Sequence, residues 1–371
     1  MNQTNKSTNT MPSQNIIITY YVQRYRPTYE AISKEVQLLA AHFAQQPHHT
    51  THIYDLHLDG LHHIQKNQQI TSHHFALYPL LFPFAYKQSK KSQINHIYTS
   101  LGDLPYLHII SLKNTILTAA ASCNLKKIKS RLKQLQKIKK IIVETNHQKQ
   151  QLLSLNIPEQ HIQLIYPPVN LNTFTYHFPP KNQPFTILYA SCPTRATDFE
   201  KRGINLLIET AKQLPHIQFL LAWRSSNEVY HHMQSLLQKN HITNIILHNE
   251  ILTDMNALYA KVHCTIIPYT IQDDFLKMIP NSAIESLAAG KPVLASTKTE
   301  IANVISFPEN PSGISFEPTP QHLRKAITLL QKKYTSRQKN CQPTAKSLFS
   351  QEIFLKKYEK IYLEISEGKK T

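Results

Sequence analysis

Glycine is scarce in this chain, only six in 371 residues, so each one is expected where the backbone requires it. Cysteine is scarcer still. Cys123, Cys192, Cys264 and Cys341 are far apart, form no CxxC and have no metal-ligand spacing. They read as reduced core thiols of a cytoplasmic chain. No run approaches 18 consecutive apolar residues, so no membrane span is expected. The opening MNQTNKSTNTMPSQN lacks the apolar centre of a secretory signal, and residues 1–14 read as a disordered tail. No short repeat of the solenoid kind is visible. The 21 histidines are scattered and look like compositional bias rather than a metal site.

Acidic residues are also outnumbered, 23 against 41 Lys and Arg, giving a formal net charge of +18. Such a balance favours anionic partners: phosphorylated small molecules, acidic lipid or nucleic acid. Charge alone does not choose among them. The length suits two domains, each able to bury a core.

Short apolar runs alternate with amphipathic helical patterns, as in βαβ units with a parallel sheet. NIIITYYV (15–22) reads as a buried strand, followed by the loop RYRPTYE and a helix from AISKEVQLLAAHFAQ. Strand THIYDLHL, an irregular region containing PLLFPFAY, strand INHIYTS, helix DLPYLHIISLK and strand TILTAAA come next. A basic helix over 125–140, strand KIIVET, helix HQKQQLLSLN and strand IQLIYPPV complete a first half. The alternation pauses at 171–184 and restarts with FTILYAS. The expected architecture is α/β, with two Rossmann-like doubly wound domains, 15–178 and 179–350. A last helix within 351–371 is expected to return to the first domain.

In doubly wound domains, ligands bind beyond the carboxyl ends of the strands, where helix N-termini point. Two segments suit such a place. YASCPTRATDFEKRGINLLIETA runs from a strand through a loop carrying Arg195, Lys201 and Arg202, and enters a helix at Gly203. It is either an anion site for phosphate or a solvated basic loop. In KMIPNSAIESLAAGKPVLAS (277–296), Asn281 or Ser282 can cap a helix that Gly290 ends. Glu285, near the start of that helix, either stabilises its positive end or accepts from two ribose hydroxyls.

IESLAAGKPVLAS resembles the signature of retaining GT-B glycosyltransferases of family 4: a glutamate, seven residues, then E-x-x-A-x-G-x-P-V. LIYPPVNLNTF (164–174), RGINLLIETA and IIVETNHQKQQLLSLNIPEQHI resemble further segments of that family in the same order, over about residues 15–365. The resemblance implies a GT-B fold and retaining transfer of a sugar from a nucleotide-diphosphate donor to an acceptor hydroxyl of a glycan or lipid-linked saccharide. No cofactor and no metal are implied. Glu285 would hold the donor ribose, Arg202 and Arg195 the diphosphate, and Asn281, Ser282, Ala283 and Arg224 would lie near the donor.

Three positions depart from the family pattern. Lys277 stands where the first signature glutamate is expected. The glycine pair expected near Glu30–Ala31 is missing, the loop offering Arg24 and Arg26 to the cleft instead. The first-domain histidine expected after TILT falls among Ala119–Ala121. Lys277 has three readings: an ammonium contact to the leaving phosphate, an ion pair with Glu285 or Asp274, or a mark of lost activity.

LKKIKSRLKQLQKIKK (125–140) carries a stripe of Leu125, Ile128, Leu132, Leu135 and Ile138. It is either a packed surface helix with a solvated face or a docking face for anionic lipid on the inner side of a membrane. No specific nucleic acid is expected as a partner. The competing functions are another GT-B activity, such as a nucleotide-sugar epimerase, and a catalytically silent GT-B protein that binds lipid or nucleic acid.

Overall fold

The computed structural model describes residues 15–22, 25, 31–56, 61–99, 105–120, 128–178, 181–272 and 276–367. Its strands form two sheets. The first contains β1 (Ile16–Val22), β2 (His49–Leu56), β3 (His62–Asn67), β4 (Ile70–Phe75), β5 (Ile94–Thr99), β6 (Thr115–Ala119), β7 (Lys140–Val143) and β8 (Ile162–Leu164), in the order β3-β4-β2-β1-β5-β6-β7-β8. All its pairings are parallel except β3 with β4. The second contains β9 (Phe185–Tyr189), β10 (Ile217–Trp223), β11 (Ile245–Asn249), β12 (Cys264–Ile267), β13 (Val293–Ser296) and β14 (Gly313–Phe316), in the order β11-β10-β9-β12-β13-β14. All five of these pairings are parallel. In both sheets the order reverses beside the first strand, which makes a crevice at the carboxyl ends there.

The helices follow from amphipathic sequence. In the first domain they are α1 (Ala31–Ala44), α2 (Tyr78–Lys91), the single turn α3 (Leu132–Leu135) and α4 (Asn146–Leu153). Val36, Leu39, Ala40 and Phe43 of α1 recur at helical spacing and are buried against β1. In the second domain lie α5 (Ile204–Gln213), α6 (Asn227–Lys239), α7 (Met255–Ala260), α8 (Asn281–Ala288), α9 (Glu300–Ile305), α10 (Pro320–Lys332) and α11 (Tyr334–Phe349). The last helix, α12 (Gln351–Ser366), crosses back. Phe354, Tyr358, Ile361 and Tyr362 pack into the first-domain cluster of Ile18, Tyr20 and Val22. The two crossings are joined, since the Val169 N–H donates to the Phe349 carbonyl (2.7 Å).

Several expectations are corrected. The region around PLLFPFAY is ordered: β3 and β4 are antiparallel neighbours, and α2 holds Pro79 and Pro83, the latter inside the helix. Its prolines hide a helix whose Leu81 and Ala85 pack on Tyr54 and Phe75. DLPYLHIISLK contributes only a 3-10 turn, Pro105–His108, among its described residues. The basic segment is not one long helix. Turns at 130–131 and 136–137 bound the single turn α3, β7 begins at Lys140, and Leu125 lies outside the described residues. Its stripe residues Ile128, Leu135 and Ile138 are core, leaving Lys129, Lys133, Lys137 and Lys139 exposed. Helices α9 and α11 have no counterpart in the sequence reading. Among the described residues, no helix is long and apolar enough to cross a membrane.

Candidate active site

The segments leaving β9, β10 and β12 end at the crevice of the second sheet and supply most of one cavity, about 390 Å³. Ala31 and Lys34, in the first turn of α1, face it from the first domain. Arg202, Arg224, Lys277, Asn281, Ser282 and Glu285 all line it. Two candidates lie elsewhere. Arg195 is exposed and is not part of the lining; Ala283 is buried in the second-domain core, and its N–H donates to the Pro280 carbonyl. Arg24, Arg26 and Asp274 fall outside the described residues.

Arg202 is fixed from below. Its Nη1 donates to Ser191 Oγ (2.7 Å), whose hydroxyl lies 2.9 Å from that of Tyr269, while its buried Nε has no partner among the described side chains. Gly203 follows as the N-cap of α5 with φ of 73°. A Cβ there would lie 1.9 Å from the Pro268 carbonyl oxygen, so only glycine lets the arginine loop meet β12 this closely. The expected backbone role of this glycine is met. Gly290, also at φ 73°, ends α8 as expected, with the Tyr176 ring 2.4 Å from where a Cβ would stand.

The start of α8 differs from the expectation. Pro280 is the N-cap, and neither Asn281 nor Ser282 caps through its side chain. Proline fits this place because its fixed φ, here −69°, is compatible with the extended N-cap conformation and it has no N–H to satisfy. The buried oxygens Asn281 Oδ1 and Ser282 Oγ find no partner among the described residues. Glu285 lies in the second turn, away from the free N–H groups, so the helix dipole is not what holds it. The Tyr259 hydroxyl, 2.9 Å from the Ser282 carbonyl and 3.2 Å from Glu285 Oε2, holds it instead. Burial raises the Glu285 pKa above the ordinary carboxylate value, while the Lys34 charge and the Tyr259 hydrogen bond pull the other way.

Lys277 reaches across the cleft. Its Nζ lies 2.6 Å from Glu35 Oε1 on α1 and 3.4 Å from Glu144 Oε2 after β7, with the three side chains only 16%, 2% and 4% exposed. The ion pair is therefore with the first domain, not with Glu285. Burial opposes the ammonium charge, but Glu144 and Glu35 outweigh it and hold the Lys277 pKa above the usual lysine value. Burial raises Glu144 well above the carboxylate range, although Lys277 counters it. The other Glu35 oxygen accepts from the Tyr98 hydroxyl (2.5 Å). A second cross-domain contact has the Asn146 N–H and side-chain amide donating to Glu300 Oε1 (3.2 and 2.9 Å).

Sequence reasoning missed Lys34, Glu35, Glu144, Ser191 and Tyr259. Glu35 had a signal: it is four residues before Leu39, on the apolar stripe of α1, where a carboxylate needs a partner. Nothing local in sequence marks Tyr259, which meets Glu285 only through the packing of α7 on α8.

Two facing parallel-sheet domains, a cleft at the carboxyl ends of their strands and a returning C-terminal helix define the GT-B class of glycosyltransferases. Residues 186–333, most of the second domain, match the family model described as glycosyl transferases group 1. The fold comparison spans nearly the whole chain. Sucrose-phosphate synthase from Thermosynechococcus elongatus matches at 16% identity and a TM-score of 0.74, covering 95% of this chain and 100% of that one. A glycosyltransferase from Rickettsia africae matches at 17% identity and 0.72, covering 96% and 100%. Anabaena HepE in complex with UDP matches at 11% identity and 0.74, covering 93% and 99%. No curated protein matches the chain by sequence.

Proposed function

We propose that this glycosyltransferase is a retaining enzyme of family 4 that moves a sugar from a nucleotide-diphosphate donor to an acceptor hydroxyl. The observation that carries the reading is the pairing of a buttressed cation and a buttressed carboxylate in one cavity. Arg202 is fixed by Ser191 and Glu285 by Tyr259, and both line the cavity that Lys34 faces from the first domain. A diphosphate needs fixed cations, and a ribose diol needs a carboxylate that can accept two hydrogen bonds. We assign Arg202 and Arg224 to the diphosphate, Glu285 to the ribose, and Asn281 and Ser282 to polar contacts with the donor.

In the reaction, the bond from the anomeric carbon to the phosphate oxygen breaks, and Arg202 stabilises the charge that the leaving diphosphate gains. The acceptor oxygen bonds the same face of the anomeric carbon, and its proton passes to the departing phosphate. We assign Lys277 to holding the first domain over the donor rather than to phosphate contact, because its ammonium is already held by Glu35 and Glu144. The solved HepE structures include one with UDP-glucose, which makes that sugar nucleotide the first donor to test here.

The test is a panel of UDP-, GDP- and ADP-sugars, scored by thermal stabilisation and by release of nucleoside diphosphate. One donor is expected to stabilise the protein and turn over, and Arg202→Ala to abolish turnover. If no member stabilises the protein or releases product, the reading fails. Binding without turnover would favour a silent GT-B protein.

A further inference from the structure

Residues 61–93 contain four lysines and no aspartate or glutamate. They fold into β3, β4 and α2 at the edge of the first sheet. This stretch also concentrates large apolar side chains in solvent. Leu61 is 72% exposed, Leu77 58% and Phe84 51%, with Ile64 and Leu80 exposed as well. Isolated exposed leucines need no explanation, but a contiguous group does.

The group is contiguous. Leu80, Phe84, Lys87 and Lys91 fall at i, i+4, i+7 and i+11, one face of α2, and Leu77 continues that line at its N-terminus. The His62 ring stacks on Phe75 (4.2 Å between centroids) and reaches Phe84 (5.4 Å), which joins β3 to this helix. Ile64 and Lys66 share the His62 face of β3 by strand alternation. Leu61 adjoins through its carbonyl, which accepts from the Ala76 N–H. Beneath, Leu81 and Ala85 supply the core contact of α2, and the outer side chains remain largely in solvent.

We propose that this face, Leu61, Ile64, Leu77, Leu80 and Phe84 fringed by Lys66, Lys87, Lys90 and Lys91, docks the protein on an anionic lipid bilayer. Aliphatic and aromatic side chains beside lysines fit the interface of such a membrane: the apolar groups enter below the headgroups and the ammonium groups pair with phosphates. A second copy fits poorly, because a symmetric contact would press the same lysines together with no carboxylate in the stretch to offset them. Nucleic acid would use the lysines but leave the aliphatic side chains without a partner. Leu61 and Leu77 lie just beyond the carboxyl end of β4, so the apolar end of the face is on the cleft side of the first sheet. The basic 128–140 segment is a separate surface, since its buried stripe is committed to the core.

The test is flotation of the full chain with vesicles of phosphatidylcholine alone and with about one third phosphatidylglycerol. The protein should float with the anionic vesicles only, and less as salt rises. Leu80→Ser/Phe84→Ser and Lys87→Glu/Lys90→Glu/Lys91→Glu should each reduce the bound fraction at least about tenfold, with unchanged thermal unfolding and donor stabilisation. Failure of the wild type to float would overturn the proposal, and so would variants that float as it does. So would a dimer in sedimentation that Leu80→Ser/Phe84→Ser abolishes, or retention by DNA without retention by vesicles.

Discussion

Lys277 Nζ and Glu35 Oε1 lie 2.6 Å apart although 242 residues separate them, and the contact joins the two domains across the cleft. With Glu144 beside it, the lysine is the only counter-charge among the described residues for two nearly buried carboxyl groups. Removing one partner of such a group leaves buried charge uncompensated. Lys277→Ala should therefore cost about 3–5 kcal/mol in urea unfolding at neutral pH. Lys277→Glu, which restores the residue the family resemblance expects, should cost at least as much, because it gathers three carboxylates. Combining Lys277→Ala with Glu35→Gln and Glu144→Gln should recover most of the loss. Equal stability of Lys277→Glu and wild type would show that the ion pair does not hold the domains.

Glu285 and Tyr259 should behave as holder and support. Glu285→Ala should weaken donor binding by about 1.5–3 kcal/mol, the range for a hydrogen bond to a charged group. Tyr259→Phe keeps the ring but frees the carboxylate, so it should weaken binding less and leave the nucleotide preference unchanged. Calorimetric titration of both variants with the accepted donor checks this. A Tyr259→Phe loss larger than that of Glu285→Ala would reverse the assignment.

Gly203→Ala tests the arginine loop. The positive φ and the Pro268 carbonyl together should destabilise the second domain by about 2–5 kcal/mol and displace Arg202. Donor binding should fall with stability. Retained stability and affinity would mean the loop has another accessible path.

Lys291 gives a pH prediction. It is fully buried, its Nζ donates to the Phe178 carbonyl (2.9 Å), and burial pushes its pKa down to about 8 from the usual lysine value. A lowered lysine pKa means the folded chain binds fewer protons than the unfolded one between about pH 8 and 10.5. Stability attributable to this group should therefore rise across that window, by at most about 3.4 kcal/mol at 1.36 kcal/mol per unit. Lys291→Met should lack the rise, as seen in the difference between the two unfolding curves from pH 7 to 10.5. Parallel curves would contradict it.

The alternation of apolar runs with amphipathic patterns carried the two-sheet architecture, because buried parallel strands such as NIIITYYV leave a strong local imprint. Helix α2 was missed because its two prolines are turn signals out of context, while the first sits at the helix start and the second faces solvent. The helix expected over DLPYLHIISLK has apolar residues at near-helical spacing, yet tertiary packing takes them into a short turn. In the site, Arg202 and Glu285 were readable as residue types in motif positions. What buttresses them was not, since Ser191, Tyr259, Glu35 and Glu144 meet their partners only after the domains fold and face each other.

The central claim, that the cleft is a nucleotide-diphosphate donor site, is tested most directly by calorimetric titration of the intact chain with UDP, GDP and ADP. One of the three should bind at a single site well below about 1 mM, with affinity reduced at least tenfold, about 1.4 kcal/mol, in both Arg202→Ala and Glu285→Ala. No binding by any of the three, or binding that both variants leave unchanged, would contradict it.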